Sequence, residues 1–300
     1  MKIAVIGSTM MDVVSYIDRI PEAGETRAVK GFHTAGGGKG ANQAIAAGRL
    51  GADVLFVTAV GDDIFGEKCR KNYELCGLDT RYVYTAPGIL NGIATILVDE
   101  SGQNRILISK GANDELTPAR LQAAEPEIVS CGLIVLQLEI PVETVYAAID
   151  MGVRHHIPVL LNPAPACADL DLAKVCQCDF FVPNETELSI LTGKPTNTVE
   201  QIRAAAKGLT NHGLKNVIVT MGSRGSLWVT KDQEEMVGAQ KVKAVDSTGA
   251  GDSFIGCFVE TWSRTGDILQ SMRRASRYAA CSVTKPGTQD SYLTKEEFGD

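Results

Sequence analysis

The chain has 300 residues, of which 44% are hydrophobic and 22% charged, values typical of a globular protein rather than a disordered or fibrous one. The net charge is −7, so we expect no nucleic-acid partner. No apolar run approaches the ~18 residues of a membrane span, so we expect no membrane partner either. The eight cysteines are scattered without a disulfide or zinc pattern, which favours reduced thiols and a cytoplasmic location.

Short apolar runs alternate with amphipathic segments along the chain. In order, strands are predicted at Ile3–Ile6, Val54–Val60, Leu133–Leu138, Pro158–Leu161, Phe180–Val182, Val217–Thr220 and Ser226–Thr230. Helices are predicted at Ala41–Arg49, Ile64–Leu75, Pro118–Val129, Val142–Arg154, Glu185–Leu191, Val199–Asn211, Ala250–Thr261 and Ile268–Val283. This alternation indicates an α/β fold with a mostly parallel sheet covered by helices on both faces.

Two segments interrupt this alternation because they contain strand patterns without helices. They are residues 13–34 and the predicted hairpin of residues 92–110. We expect them to form a small antiparallel β lid, discontinuous in sequence and inserted in a single α/β domain of residues 1–300. Open α/β folds bind ligands at the carboxyl ends of their strands, so such a lid would cover a site there.

The segment from Val245 to Phe254 carries the most informative motif, with Gly249, Ala250 and Gly251 followed by Asp252. Glycines at the start of a helix bring successive N–H groups together and form an anion cradle. A carboxylate beside that cradle binds phosphate poorly but is well placed to take a proton from an attacking hydroxyl. The alternative is a tight turn in which Asp252 only complements the helix dipole.

A second glycine cluster, residues 36–40, precedes the predicted helix that ends at Arg49. Its glycines permit close approach of a ligand to the backbone, and Lys39 and Asn42 offer hydrogen-bond donors. This composition favours a polar small-molecule site, with a flexible hinge as the alternative. Asp12 and Glu139 each follow a strand and could accept hydrogen bonds from the hydroxyls of a polyol.

Two further segments are compatible with nucleotide binding. Asn184 and Glu187 have the spacing of a capping box, and the same spacing would let them organise Mg²⁺ beside a phosphate. The sequence leaves both interpretations open. The loop from Thr220 to Gly225 offers hydroxyls and a cation for phosphate, or forms a simple hairpin turn. Together, these motifs describe phosphoryl transfer to a hydroxyl.

The same residues resemble the ribokinase family of carbohydrate kinases almost from end to end. The matching segments are Gly7–Asp12, Gly37–Gln43, Gly61–Gly66, Lys110–Asn113, Leu161–Pro165, Pro183–Glu187 and Asp246–Asp252. The resemblance implies a three-layer α/β/α domain with a small β lid that is often shared across a homodimer. It also implies an ATP-dependent kinase that requires Mg²⁺ and is activated by a monovalent cation, normally K⁺.

The resemblance also implies a role for individual residues. Asp252 would be the catalytic base, beside an anion hole of Gly249, Ala250 and Gly251. The sugar would be held by Met10, Asp12, Gly38, Lys39, Asn42, Glu139 and Asp252. ATP would lie along Asn184, Thr220, Gly222, Ser223, Arg224, Gly225, Gly251 and Ser276. Glu187 would govern Mg²⁺, and K⁺ would be ligated from Asp246, Thr248, Ser282, Lys285, Gly287 and Ser291, in part by backbone carbonyls.

Met10 bears on the substrate, because bacterial ribokinases often carry asparagine at this position. An apolar side chain there would tolerate a sugar without its 2-hydroxyl, and residues 178–185 also resemble deoxyribokinases. We therefore expect phosphorylation of the 5-hydroxyl of D-ribose, with 2-deoxy-D-ribose as the alternative substrate. A nucleoside or hexose kinase and a non-catalytic sugar or nucleotide sensor are the rival functions.

Overall fold

A computed structural model describes residues 1–101 and 103–299 of the chain. Its strands are β1 (Ile3–Ile6), β2 (Met10–Tyr16), β3 (Gly31–Gly37), β4 (Val54–Gly61), β5 (Asp79–Ala86), β6 (Ile93–Val98), β7 (Asn104–Ser109), β8 (Leu133–Leu136), β9 (Val159–Leu161), β10 (Phe180–Phe181), β11 (Asn216–Thr220), β12 (Ser226–Val229) and β13 (Glu234–Val237). Its α-helices are α1 (Lys39–Arg49), α2 (Ile64–Leu75), α3 (Pro118–Ile128), α4 (Val142–His155), α5 (Leu172–Val175), α6 (Glu185–Thr192), α7 (Val199–Asn211), α8 (Ala250–Thr265), α9 (Ile268–Ser282) and α10 (Lys295–Phe298).

The large sheet has nine strands in the order β13-β12-β11-β10-β9-β8-β1-β4-β5. All neighbours from β11 to β5 pair in parallel, whereas β12 pairs antiparallel with both β11 and β13. The predicted mostly parallel sheet is therefore confirmed. Because β1 is central, its four apolar residues Ile3–Ile6 are buried on both faces.

Two hydrophobic clusters pack against opposite faces of the large sheet. Alternate residues of β1 enter different clusters, since neighbouring side chains on a strand point to opposite faces. Ala4 and Ile6 pack with α3, α4 and α7, whereas Ile3 and Val5 pack with α1, α8 and α9. Each fully buried aliphatic or aromatic side chain contributes about 1.5–3 kcal/mol through the hydrophobic effect. The expected three-layer α/β/α arrangement follows from this packing.

The small sheet has the order β3-β2-β6-β7 and is the smaller sheet of the predicted fold class. Two of its pairings are antiparallel, but β2 and β6 run parallel to each other. The predicted bounds of its first segment, 13–34, are too narrow. Met10 pairs with Gly37 and Met11 with Gly36, so the extended backbone continues to the point where the chain enters the large domain. The second segment, 92–110, contains β6 and β7 as expected.

Most predicted elements agree with the structure to within a few residues, and two strands were not predicted. Both β5 and β13 lie at the edges of the large sheet and carry many polar residues, so they lack the continuous apolar run of a buried strand. Helix α8 is longer than predicted: it continues to Thr265, four residues beyond its predicted end, and ends at Gly266, which has the left-handed conformation. Among the described residues, no helix combines the length and apolar character needed to cross a bilayer.

Candidate active site

A cavity of 270 Å³ opens at the carboxyl ends of the central strands. It is lined by Asn162 after β9, Asn184 after β10, Thr220 at the end of β11 and the first turns of α1 and α8. The lining residues that the sequence predicts are Lys39, Asn184, Glu187, Thr220, Gly222, Gly249, Ala250, Gly251 and Asp252. The structure thus brings together residues more than 200 positions apart in the chain.

Asp252 lies in the first turn of α8, whose N-cap is Gly249. Gly249 has a φ of 72°, and a Cβ at this position would lie 2.3 Å from Thr288 Cγ2, so only glycine fits. The hydroxyl of Tyr292 donates a 3.0 Å hydrogen bond to the Gly249 carbonyl and fixes the turn. The α8 N-terminus therefore presents its N–H groups and Asp252 to the same cavity.

The first turn of α1 forms the opposite side of the cavity and meets α8 directly. Gly256 of α8 allows this approach, since a Cβ there would lie 2.4 Å from the Ala46 Cβ. The Asn42 amide donates to Asp252 Oδ2 and the Gln43 amide to Asp252 Oδ1, each at 2.9 Å. Asp252 is consequently held by two donors while it remains 6% exposed.

Glu139 anchors the start of α1 from the end of the neighbouring strand β8. Its Oε2 accepts hydrogen bonds from the Ser8 hydroxyl at 2.5 Å and the Lys39 backbone N–H at 2.9 Å. The helix has no side-chain cap at Gly38, so the Glu139 carboxylate complements its positive N-terminal dipole. One carboxylate oxygen is thereby committed to the fold, and the other has no hydrogen bond within the described residues.

Several charged groups lie close together around the cavity. Burial, followed by the carboxylates of Glu139 and Asp252, raises the pKa of Asp12 to about 7. Burial alone would lower the pKa of Lys39, but the carboxylates of Asp252, Glu139 and Glu187 outweigh it and raise that pKa. Lys39 is therefore a charged ammonium among carboxylates, suited to bind hydroxyl and phosphoryl oxygens.

Asn184 and Glu187 form the capping box that is one of the two interpretations of their spacing. They form a capping box: the Glu187 N–H donates to Asn184 Oδ1, and the Asn184 N–H donates to Glu187 Oε2, both at 2.8 Å. Both also line the cavity. Burial raises the pKa of Glu187. The capping box holds the carboxylate at the cavity wall, where its oxygens are of the type that Mg²⁺ or its bound waters prefer.

A groove of 410 Å³ adjoins the cavity and shares Thr220, Gly222, Ser247, Ala250 and Gly251 with it. The other predicted nucleotide residues that line the groove are Ser223, Gly225 and Ser276. Its remaining wall consists of residues 239–242 and Ala244, of Phe254 in α8, and of the end of α9 with Val283 directly after it. Arg224, by contrast, does not line the groove, because its guanidinium bonds Glu185 and the Asn197 carbonyl.

The residues expected to ligate a monovalent cation lie on two adjoining segments beside the anion cradle. Asp246 joins the segments: its Oδ1 accepts from the Thr248 N–H at 2.9 Å and its Oδ2 from the Gly287 N–H at 3.0 Å. Burial would raise the pKa of Asp246, but these hydrogen bonds outweigh it and lower the pKa. Ser282 instead bonds Ser253, and Lys285 lines a separate cavity.

The structure adds three polar residues that the sequence analysis did not assign. Gln43 contacts Asp252 directly, Asn162 lines the cavity, and Gln289 donates to Asn42 Oδ1 at 2.9 Å. Signals in the sequence point to two of them: Gln43 is a polar residue among the apolar residues of a predicted helix, and Asn162 directly follows a predicted strand. Gln289 carries no such signal, because it lies in a short 3₁₀ turn far from its partners in sequence.

Residues 1–295 match the pfkB family carbohydrate kinase family. The chain therefore belongs to this family, and the expected enzyme class, a carbohydrate kinase, is confirmed. It is 51% identical over 300 residues to a deoxyribokinase of Salmonella typhi, covering 100% of this chain and 98% of that protein. It is 35% identical to a ribokinase of Staphylococcus aureus, covering 99% and 98% of the two chains.

The fold is likewise that of a solved ribokinase. A structure of Arabidopsis thaliana ribokinase complexed with ribose and ATP superimposes with a TM-score of 0.93 at 31% identity, covering 99% of this chain and 96% of that one. The resemblance to the ribokinase family noted from the sequence motifs is thereby confirmed.

Proposed function

We propose that this carbohydrate kinase transfers the γ-phosphoryl group of ATP to the 5-hydroxyl of a pentose. The observation that carries the proposal is the position of Asp252. Its carboxylate and the α8 N-terminus face one cavity. The adjoining groove is lined by residues of both α8 and α9. A general base next to an anion cradle is the arrangement that phosphoryl transfer to a hydroxyl requires.

The two parts of the site divide the substrates between them. The groove, with its apolar wall around Val242 and Phe254, suits the adenine and ribose of ATP. Its phosphates would extend past Thr220 and Gly222 towards the α8 N-terminus, where Gly251 leaves open space beside the backbone. The pentose would lie between this point and the small sheet, which acts as a lid over it.

The chemistry follows from this placement. Asp252 accepts the proton of the 5-hydroxyl, the hydroxyl oxygen forms a bond to the γ-phosphorus, and the bond to the bridging oxygen breaks to release ADP. The N–H groups of Gly249 and Gly251, together with Lys39, stabilise the charge on the transferring group. The Ala250 N–H, which donates to the Ser247 carbonyl at 3.2 Å, would join them by turning from that carbonyl to the phosphoryl oxygen. A positioned base typically supplies about 10²–10⁴-fold of the rate enhancement. Closure of the lid would exclude water that otherwise accepts the phosphoryl group.

The oxygen-rich surroundings fit the two expected ions. Glu187 and Asn184 would organise Mg²⁺ through its waters, and the segments joined by Asp246 would offer carbonyl and carboxylate oxygens to K⁺. Bound there, Mg²⁺ would neutralise charge on the phosphates of ATP, and K⁺ would add positive charge beside the anion cradle. A group of three or more His, Cys, Asp or Glu side chains that could hold a metal is not found in residues 1–101 and 103–299.

Between the two candidate pentoses, 2-deoxy-D-ribose has the stronger support. The relative of 51% identity is a deoxyribokinase, whereas the ribokinase of Schizosaccharomyces pombe is 39% identical. Met10 is 2% exposed and packs with Ala94 and Ile96 in the small sheet; at the sugar position that the resemblance implies for it, its apolar side chain would leave a 2-hydroxyl without a polar partner. D-ribose remains the second candidate, supported by the structural match to a ribokinase that binds ribose.

We also propose that the enzyme is a cytoplasmic homodimer joined through the small sheet. Leu107 is 68% exposed and Phe32 70% exposed, and Ile106 and Ile108 are about half exposed. A second copy that covered these side chains would remove an apolar surface from water. The eight free cysteines are typical of a reducing compartment.

The proposal is tested by measuring ADP release with ATP, Mg²⁺ and K⁺ in the presence of D-ribose, 2-deoxy-D-ribose, hexoses or nucleosides. We expect the two pentoses to give the highest kcat/KM, with 2-deoxy-D-ribose first. A hexose or nucleoside that exceeds both pentoses would overturn the pentose assignment. Pentose binding without ADP release would instead identify a sensor.

A further inference from the structure

Buried carboxamide side chains converge on Asp252 from two sides. On the first side, the Gln137 amide donates to Gln43 Oε1 at 2.7 Å, and the Gln43 amide donates to Asp252 Oδ1. Gln43 also donates to Asn162 Oδ1 at 3.2 Å. Gln137 and Asn162 follow β8 and β9, so this chain of hydrogen bonds ties the carboxylate to the edge of the large sheet.

On the second side, a series of hydrogen bonds passes through three carboxamide side chains from three separate elements. The Asn72 amide of α2 donates to Gln289 Oε1, the Gln289 amide donates to Asn42 Oδ1, and the Asn42 amide donates to Asp252 Oδ2, each at 2.9 Å. Gln289 lies in the short 3₁₀ turn of residues 289–291. This chain of hydrogen bonds therefore connects the base to the segment that follows α9.

The direction of every hydrogen bond in these chains is fixed by Asp252. An ionised carboxylate can only accept, so both Asn42 and Gln43 must present their NH₂ groups to it. Their carbonyl oxygens then face away and need donors, which Gln289 and Gln137 supply. Each oxygen of Asp252 accepts one hydrogen bond from these amides and keeps a further lone pair for a substrate proton.

Burial makes this arrangement costly to disturb. Gln43 and Gln137 are fully buried, and Gln289 is 3% exposed. A buried amide that loses its partner costs about 1–3 kcal/mol, so the network resists rotation of the carboxamides. Gln43 and Gln289 reach Asp252 and Asn42 from outside the 270 Å³ cavity, and Gln289 lines a separate cavity of 300 Å³ with Gly36 and Asn72.

We propose that Gln43 and Gln289 are positioning residues that hold the Asp252 carboxylate and the Asn42 carboxamide in the orientation needed for transfer to the sugar. The inference rests on the proposed function, in which Asp252 is the base, and on the sequence resemblance, which implies that Asn42 contacts the sugar. A small displacement of a reacting group lowers the rate steeply, because the geometry of approach is lost.

The decisive variant is Gln289→Glu, compared with Gln289→Leu. Glutamate has the size of glutamine and still accepts from Asn72, but when ionised it cannot donate to Asn42. Asn42 would then turn its amide towards the introduced carboxylate and its oxygen towards Asp252, so the base would lose this donor. We expect kcat to fall about 10-fold or more in both variants, with the KM for ATP within about twofold of the wild type. Gln43→Leu should lower kcat by at least as much.

The control variant is Thr58→Val, which also removes a buried hydrogen bond near the same sheet edge. Thr58 is fully buried and bonds Thr9, not Asp252 or Asn42. It should lose thermal stability without the fall in kcat. A Gln289→Glu enzyme with wild-type kcat would overturn the inference, as would an equal fall in kcat in Thr58→Val.

A second readout tests whether Asn72 acts through Gln289. Asn72→Ala should lower kcat modestly in the wild type and have no further effect in Gln289→Leu, because its acceptor is already gone. Additive effects would contradict the proposed chain. Asp252→Asn separates this inference from the proposed function. Full turnover in Asp252→Asn would show that the proposed function is wrong. An inactive Asp252→Asn enzyme together with fully active Gln43 and Gln289 variants would show that only the positioning role is wrong.

Discussion

The two sheets contribute to the site in opposite ways. The large sheet is buried on both faces, and the residues at its carboxyl edge are held by hydrogen bonds such as those of Glu139 and Asp252. The small sheet has only a minor core of Met10, Ala94 and Ile96, and all six residues of β7 are exposed. Rigid geometry is thus concentrated on the side that holds the proposed base, whereas the side that carries Met10 and Asp12 is lightly packed.

This difference suggests a division of labour. Groups that take part in phosphoryl transfer need fixed positions, and the large sheet supplies them. Groups that recognise the sugar must admit it and then close over it, which a thin sheet joined to the core by short connections allows. Changes on the large-sheet side should therefore act on kcat, and changes on the small-sheet side on KM, substrate choice or assembly.

The largest effect is expected for Asp252→Asn on the large-sheet side. Asparagine keeps the size of the side chain but cannot accept the hydroxyl proton, so kcat should fall by about 10²–10⁴-fold. Sugar binding, measured by calorimetry, should remain largely intact. Wild-type turnover in this variant would refute the role of Asp252 and remove the basis of the comparison.

On the small sheet, Leu107→Asp should convert the proposed dimer into a monomer. The substitution places a charge on a side chain that is 68% exposed in the single chain and covered in the proposed dimer. Sedimentation velocity should show the change, and the KM for the sugar should rise while the KM for ATP does not. Asp232→Asn, an exposed position of the large domain, provides the control. A wild-type chain that is monomeric would contradict the proposed assembly.

A smaller effect is expected for Met10→Asn, which tests substrate choice alone. The new amide would offer a hydrogen bond to a 2-hydroxyl, worth about 0.5–1.5 kcal/mol, and so shift the kcat/KM ratio towards D-ribose by about 2- to 12-fold. Competition between the two pentoses measures the shift. An unchanged ratio would show that Met10 does not distinguish the sugars.

The smallest expected effect concerns Asp12 and pH. The pKa of Asp12 rises from 3.8 to about 7 on folding. Between these two pH values the Asp12 carboxyl is therefore protonated in the native state and ionised in the unfolded state. The stability that Asp12 contributes is complete below its unfolded pKa and is lost as the pH rises through about 7. Asp12→Asn should therefore raise Tm at about pH 8, by about 2 °C, and less at about pH 5. An equal gain at both pH values would contradict this origin.

The sequence predicts those parts of the molecule whose signals are local. The apolar runs of β1, β4 and β8 and the glycines before Asp252 and Asn42 lie in continuous segments, so their strands, turns and helix starts can be read directly. The edge strands β5 and β13 were missed because exposure removes the apolar run that marks a strand.

The unpredicted parts of the site depend on contacts between distant segments. The bond from Gln289 to Asn42 spans 247 positions, and no local pattern encodes it. Arg224 differs, because its loop beside Ser223 suggests phosphate binding. In the structure its guanidinium instead donates hydrogen bonds to the Glu185 carboxylate. A local motif shows what a residue offers, whereas the fold decides which partner receives it.

The pairing of Asn42 with Asp252 joins segments 210 positions apart, and this has a consequence for synthesis of the enzyme. During translation, α1 and the first strands leave the ribosome long before α8 exists. The α1 surface that packs on α8 is then exposed, and the nascent chain contains Asn42 but not yet Asp252. With Asp252 as the proposed base, phosphoryl transfer would begin only after α8 has been made and has docked on α1. Catalytic activity would therefore require a chain that extends through α8. Fragments that stop before Gly249 would be inactive, and the apolar face of α1 would be exposed to chaperones.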